Sequence, residues 1–157
     1  MRIALGADEN LPLVAEITKY LEERGLQVDK FGAASSGKQE PWARVAAAVG
    51  EAVARKDYDF GVVCCWTGTG VTMAANKVPR VRAALCADAQ TARGARKWND
   101  ANVLAMSLRA TSPAVAREIL DAWLDEDYDG TEDESIAVIS ELEEPHSSGD
   151  SSRSSAR

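Results

Sequence analysis

Five short runs of apolar residues recur along the chain, and each is followed by a stretch with helical spacing. The runs are Arg2 to Ala7, Leu26 to Phe31, Asp59 to Cys65, Val81 to Cys86 and Asn102 to Met106. Between the first two, Glu9 or Asn10 precedes a segment with Pro12 in its first turn, Leu13, Val14, Ile17, Tyr20 and Leu21 on one side, and Gly25 as its stop. Between the second and third, the small and polar stretch Gly32 to Glu40 leads into a helix from Pro41 to Lys56 carrying Val45, Ala46, Val49 and Val53 on one stripe. Asp88 to Trp98 reads as a further helix, and Ser112-Pro113 opens another with Val115, Ile119, Leu120 and Trp123. Strands that alternate with helices pair in parallel through right-handed crossovers, which puts helices on both faces. The fold class is therefore α/β: three layers around a five-stranded parallel sheet.

The 157 residues, 45% of them hydrophobic, suffice for one domain with its own core. That domain is expected to span residues 1–142. Residues 143–157 form an acidic, then Ser/Arg-rich tail without apolar periodicity, and Pro145 to Arg157 are expected to be disordered. A net charge of -7 argues against a nucleic-acid partner, since binding phosphate backbones takes clustered Lys and Arg. No apolar run is long enough for a membrane span and no leader pattern opens the chain, so a cytoplasmic location is expected. The three cysteines make neither a disulfide framework nor a metal-ligand spacing. No metal and no cofactor is expected.

Chemistry concentrates in the stretch from Val63 to Lys77. A buried strand end carries Cys64 and Cys65, passes through Trp66-Thr67-Gly68-Thr69-Gly70, and continues as Ala-rich helix. Amides in a Gly-rich turn that opens a helix lack intrahelical acceptors and suit a carboxylate or a developing oxyanion. The turn fails G-x-G-x-x-G at its third Gly and is not followed by Gly-Lys-Ser/Thr, so acid–base chemistry is favoured over nucleotide binding. In open parallel sheets, ligands bind outside the carboxyl ends of the strands where strand order reverses. Asp8, Cys65 to Gly70, and Asp88 follow strands one, three and four, and are expected to line one crevice.

Taken together, Gly6-Ala7-Asp8, Cys65-x-Thr67-Gly68-x-Gly70-x-x-x-Ala74-Ala75-Asn76-Lys77, Arg82-Ala83-Ala84-Leu85-Cys86 and Asn99-Asp100-x-Asn102-Val103-Leu104 resemble the type B ribose-5-phosphate isomerase and galactose-6-phosphate isomerase (RpiB/LacAB) family over roughly residues 1–142. The resemblance implies a metal-free aldose–ketose isomerase on a Rossmann-like fold, a homodimer or tetramer with active sites at the subunit interface, acting on a sugar or sugar phosphate. It implies Cys65 as the catalytic thiol, Thr67 as the motif hydroxyl, and Asp8 as the carboxylate that handles substrate hydroxyl protons. Amides from Trp66 through Gly68, Thr69 and Gly70 would hold the oxyanion of a cis-enediolate. Arg109 matches a family arginine. Glu9, Trp66, Trp98 and Asn99 complete the expected substrate contacts.

The departures are as informative. Glu9 and Trp98 stand where ribose-type members carry histidines, and the only histidine is His146 in the tail. Ring opening then falls to Asp8, Glu9 or water, unless the substrate arrives open. Thr131-Glu132-Asp133-Glu134-Ser135 replaces a segment where the family places phosphate-binding arginines. Trp66 and Trp98 add flat surfaces suited to the apolar face of a sugar. The alternatives are an isomerase shifted to a sugar without a phosphate, or a non-catalytic binding subunit of a hetero-oligomer. Each residue also has a plainer role: Asp8 as a helix cap, the tryptophans as packing or subunit contacts, Glu132 to Glu134 as a solvated helix start, and Cys64, which alternates with Cys65, as core filler on the opposite face.

Overall fold

The computed structural model describes residues 1–143. Its elements are β1 (Arg2–Ala7), α1 (Pro12–Glu23), β2 (Gln27–Gly32), α2 (Ala33–Ser36), α3 (Trp42–Ala54), β3 (Phe60–Cys65), α4 (Thr69–Ala75), β4 (Ala83–Leu85), α5 (Ala89–Asn99), β5 (Val103–Ser107), α6 (Pro113–Leu124) and α7 (Asp133–Leu142). All five strands are parallel, in the order β2-β1-β3-β5-β4. The expected α/β alternation holds, with two differences of extent. The loop from Gly32 to Glu40 contains the single turn α2, and the fourth strand shrinks to three residues because it is an edge strand paired only with β5. The expected disorder of Pro145 to Arg157 lies outside the described residues.

This strand order fixes the layers. From β1 the chain moves one way to β2, then back across β1 to β3, on past the place of β5 to β4, and back again to β5. Crossovers in opposite directions must lie on opposite faces if all are right-handed. So α1 and α5 share one face, joined there by α6, and α3 packs with α4 on the other. Two apolar cores follow. Ile3, Leu5, Val62, Cys64, Leu104 and Met106 point to the first, with Ile119, Leu120 and Trp123 of α6. Ala4, Val63, Cys65, Val103 and Ala105 point to the second, with Val49 and Val53 of α3. Cys64 and Cys65 therefore face opposite sides of the sheet, as strand alternation requires.

Helix α3 lies unusually close to the sheet. A Cβ on Gly6 would come within 2.8 Å of both Val45 and Val49, and one on Gly61 within 2.8 Å of Val49 and 3.1 Å of Val103. Two strands thus present bare backbone to the valine stripe of α3. That approach sets the height of the helix's first turn above the carboxyl ends of the strands. Gly61→Ala is expected to destabilise the protein by about 1–3 kcal/mol through overpacking, read as a lower urea midpoint at unchanged slope.

Candidate active site

The reversal of strand order falls between β1 and β3, whose register ends at Ala7 opposite Cys64. One residue further, Asp8 and Cys65 stand at the two carboxyl ends. They share a cavity of about 310 Å³ with Trp42, Trp66, Thr67, Thr69, Gly70 and Met73. Asp8 is only 7% exposed, and its Oδ1 has no hydrogen-bond partner among the described residues. It does not cap the following helix: the cap of α1 is Leu11, without a side-chain bond, and Pro12 begins the helix. Burial, with the nearby Glu9 charge as a smaller contribution, raises the Asp8 carboxyl above its ordinary value. A buried, unpartnered carboxylate is costly to keep, and Asp8 faces the crevice rather than a structural partner.

Cys65 is 5% exposed, at the floor of the cavity. Its carbonyl accepts from the Gly68 amide at 3.2 Å and the Leu108 amide at 2.9 Å; the Trp66 carbonyl accepts from the Arg109 amide at 3.0 Å and Ser107 Oγ at 2.8 Å. The turn is thus tied to the end of β5 through its carbonyls. Gly68 adopts φ 77°, and a Cβ there would meet Leu85 at 2.5 Å and the Met106 backbone at 3.0 Å, so only Gly fits. With no side-chain cap on α4, the amides of Thr69 and Gly70 at its start have no intrahelical acceptor. Because α4 is only seven residues long, these local N–H groups matter more than any macrodipole. Thr67 Oγ1 lies 2.7 Å from Thr69 Oγ1 at the same mouth. The other two cysteines are held as neutral thiols, since burial pushes both Cys64 and Cys86 up to about 12.

A second cavity of about 250 Å³ adjoins the first through Thr67 and is lined also by Cys86, Ser107 and Arg109. Arg109 is exposed and makes no ion pair among the described residues. The structure therefore gathers Asp8, Cys65, Trp66, Thr67, Thr69 and Gly70 in one cavity, with Gly68 shaping the turn and Arg109 one step away. Glu9 lies beside Asp8, but its Oε1 accepts from Gln39 Nε2 at 3.3 Å and it does not line the cavity.

Three expected positions fall elsewhere. Asp88 caps α5, accepting from the Thr91 amide at 2.7 Å and Thr91 Oγ1 at 2.9 Å, because β5 intervenes between β3 and β4 and carries the end of β4 away from the crevice. Trp98 and Asn99 end α5, which runs back to the amino-terminal edge of the sheet, opposite Cys65 within the same chain. Trp98 is half exposed there, with its ring over Gly94, and Asn99 lines a different cavity with Asn76 and Ile139.

Trp42 was not foreseen as a site residue. It is 43% exposed, and a Cβ on Gly70 would sit 3.0 Å from its ring. The signal was present: the stripe of Val45 and Val49 extends back by three residues to Trp42, one turn beyond the end of the core. Among the described residues, no three His, Cys, Asp or Glu side chains converge as a metal site, and no helix is long and apolar enough to cross a membrane.

Known proteins of this architecture share the sequence as well. A family model described as Ribose/Galactose Isomerase matches residues 3–139. A D-erythrulose-4-phosphate isomerase of Pectobacterium atrosepticum is 37% identical over 131 residues, covering 83% of this chain and 86% of that protein. The ribose-5-phosphate isomerase B of Escherichia coli is 38% identical over 130 residues, covering 82% and 87%. The structure of Clostridium thermocellum ribose-5-phosphate isomerase B superposes with a TM-score of 0.87 at 36% identity, covering 91% of this chain and 97% of that one. The type B ribose 5-phosphate isomerase of Trypanosoma brucei gives 0.84 at 37% identity, covering 90% and 97%. With its fold and most of its length matched, this chain belongs to the ribose/galactose isomerase family.

Proposed function

We propose that this isomerase interconverts an aldose and a ketose sugar phosphate through a cis-enediolate, with Cys65 as the base. The observation that carries the reading is the shared cavity of Cys65 and the unpartnered, buried Asp8, walled by Thr67 and open amides. As thiolate, Cys65 would take the proton from the carbon beside the carbonyl. The electron pair moves onto the carbonyl oxygen, where the Thr69 and Gly70 amides and the Thr67 hydroxyl meet the charge. The same thiol returns the proton to the neighbouring carbon while Asp8 passes a proton between the two oxygens. Arg109, beyond Thr67, would hold the phosphate.

Trp42 and Trp66 both line this crevice, and the similarity to a D-erythrulose-4-phosphate isomerase suits a short, four-carbon substrate. A second reading, a sugar without phosphate, is favoured by one feature: the first turn of α7 carries Asp133 and Glu134, where family arginines are expected. Trp98, Asn99 and this acidic turn lie at one end of the molecule, where the Asp129 amide donates to the Lys97 carbonyl at 3.3 Å. They would reach a crevice only from a second copy. Helix α7 leaves Val138, Ile139 and Leu142 exposed and buries no residue, as a subunit contact would require. A homodimer with interfacial sites accounts for both.

The deciding experiment is proton exchange in heavy water followed by NMR, with four- and five-carbon sugars offered with and without phosphate. Exchange at C1 or C2 is expected with a sugar phosphate, and Cys65→Ala should slow it about 10³-fold. Exchange with unphosphorylated sugars alone would install the second reading. No exchange with any sugar would remove the catalytic role. Trp66→Gly should shift kcat/KM toward the five-carbon substrate by about tenfold, the scale of reshaping an apolar pocket.

The raised Asp8 carboxyl carries a stability prediction. A group whose folded value lies above its unfolded one favours folding below the unfolded value, and that gain is lost as pH rises through the folded value. At pH 7 the ionised, buried Asp8 therefore costs stability. Asp8→Asn is expected to raise Tm at pH 7, with the advantage disappearing below about pH 3.9, while turnover is lost.

A further inference from the structure

At the amino-terminal edge of the sheet, a cavity of about 510 Å³ is lined by Lys56, Arg80, Arg82 and Arg96. It sits at the opposite end of β3 from Cys65, about 16 Å along the strand. The four cations come from separate places: the end of α3, two points in the loop between α4 and β4, and α5. Two carboxylates, Asp59 and Asp100, also line it, and both are engaged. Asp59 Oδ2 accepts the Arg2 amide at 2.6 Å, and Asp100 Oδ2 accepts Arg82 Nη2 at 2.7 Å. Four cations against two carboxylates is a local excess of positive charge in a chain whose net charge is -7.

Of the remaining three cations, two have no such commitment. Lys56 and Arg80 make no side-chain ion pair among the described residues; Glu143 accepts the Arg80 backbone amide at 2.9 Å. Arg96 has a side chain only 8% exposed and lies against Phe60, its guanidinium carbon 4.4 Å from the ring centroid. Its Nη1 donates to the Ala101 carbonyl at 2.7 Å and sits 3.5 Å from Asp100, and its Nε has no partner.

The backbone points the same way. Among the described residues the non-Gly positions with positive φ are Lys56 at 63°, Arg80 at 68° and Asp100 at 44°, and all three line this cavity. At Lys56 and Asp100 this conformation closes α3 and α5, as is common at helix C-termini, so two helix ends and the Arg80 turn bring their side chains to one place.

We propose that this cavity binds a small phosphate-bearing metabolite at a site separate from the Cys65 crevice. Lys56 and Arg80 engage the phosphate, the buried Arg96 adds fixed positive charge, and Tyr58 and Phe60 face the organic portion. The uncompensated charge of two matches a phosphate dianion, and guanidinium and ammonium donors converging from several elements suit its oxygens. The volume exceeds what inorganic phosphate needs and leaves room for an organic group.

The test is titration of the full chain with inorganic phosphate and with pyrophosphate, followed by amide NMR and calorimetry, beside the double variant Lys56→Gly, Arg80→Gly. Glycine suits both backbone positions, so Tm should hold or rise while the charges are removed. The expected result is perturbation of the amides of Lys56, Arg80 and Asn102, weakening with salt, and binding at least tenfold weaker in the double variant. Isomerase activity should be retained. Absence of binding, equal binding by the variant, or perturbation confined to residues 65–70 would overturn the proposal. A change of oligomeric state in the variant with phosphate affinity unaltered would also overturn it, assigning the cluster to a subunit contact.

Discussion

The last rung between β1 and β3, the Asp8 amide donating to the Cys64 carbonyl at 3.4 Å, is the constraint on which the site depends. It holds Ala7 opposite Cys64, so the next residue on each strand emerges at the same edge, one with a carboxylate and one with a thiol. A slip of one residue would turn Cys65 into the core that Cys64 now fills and bury Cys64's neighbour chemistry on the wrong face. Two apolar cores of different composition, one on each side of the sheet, oppose that slip. Asp8 and Cys65 are thus placed by the packing of residues that lie outside the cavity.

The walls of the crevice depend on glycine in the same indirect way. Gly6 and Gly61 let α3 settle against β1 and β3, and this brings Trp42 close over Gly70, where a Cβ would press against the ring at 3.0 Å. On the other side, amides just after β5 hold the carbonyls of Cys65 and Trp66, and although the Gly68 amide is spent on the Cys65 carbonyl, those of Thr69 and Gly70 at the start of α4 are left without intrahelical acceptors. Preorganised donors of this kind need no rearrangement as charge develops, which is why they are effective in a partly dehydrated site.

Much of this was legible in the sequence because it is local. Alternating apolar runs gave the strands, Pro12 and Pro113 marked helix starts, and Thr67-Gly68-Thr69-Gly70 announced a turn with open amides. What resisted reading was strand order. Asp88 follows a strand as Asp8 does, yet β5 inserts between β3 and β4 and leaves Asp88 to cap α5. No local pattern encodes that insertion, since β4 and β5 read alike until their pairing is known. Trp98 and Asn99 illustrate the same limit: helical periodicity placed them on α5, but only the direction of α5 shows that they lie away from their own chain's crevice. Trp42 was missed for a different reason. A tryptophan in line with core valines reads as core, and only the height of α3 above the sheet reveals that the core stops beneath it.

The absence of histidine from the described residues bears on how the proposed chemistry begins. Opening the ring of a five-carbon sugar phosphate needs a group that can give up a proton near neutral pH, where an ordinary carboxylic acid is almost fully ionised; a four-carbon 4-phosphate has no free hydroxyl to close such a ring and needs no such step. Burial first, with the Glu9 charge adding to it, raises the Asp8 carboxyl above its ordinary value. A sugar seated between Trp42 and Trp66 would displace water from the cavity and strengthen the larger of those two effects, since desolvation penalises the charged form. Substrate binding would thereby favour the protonated carboxyl at the moment a proton donor is needed, and departure of the ring oxygen would leave Asp8 ionised to serve the enediolate step. On this account the proposed acid would be Asp8, the carboxylate that the β1–β3 register holds beside the Cys65 thiol.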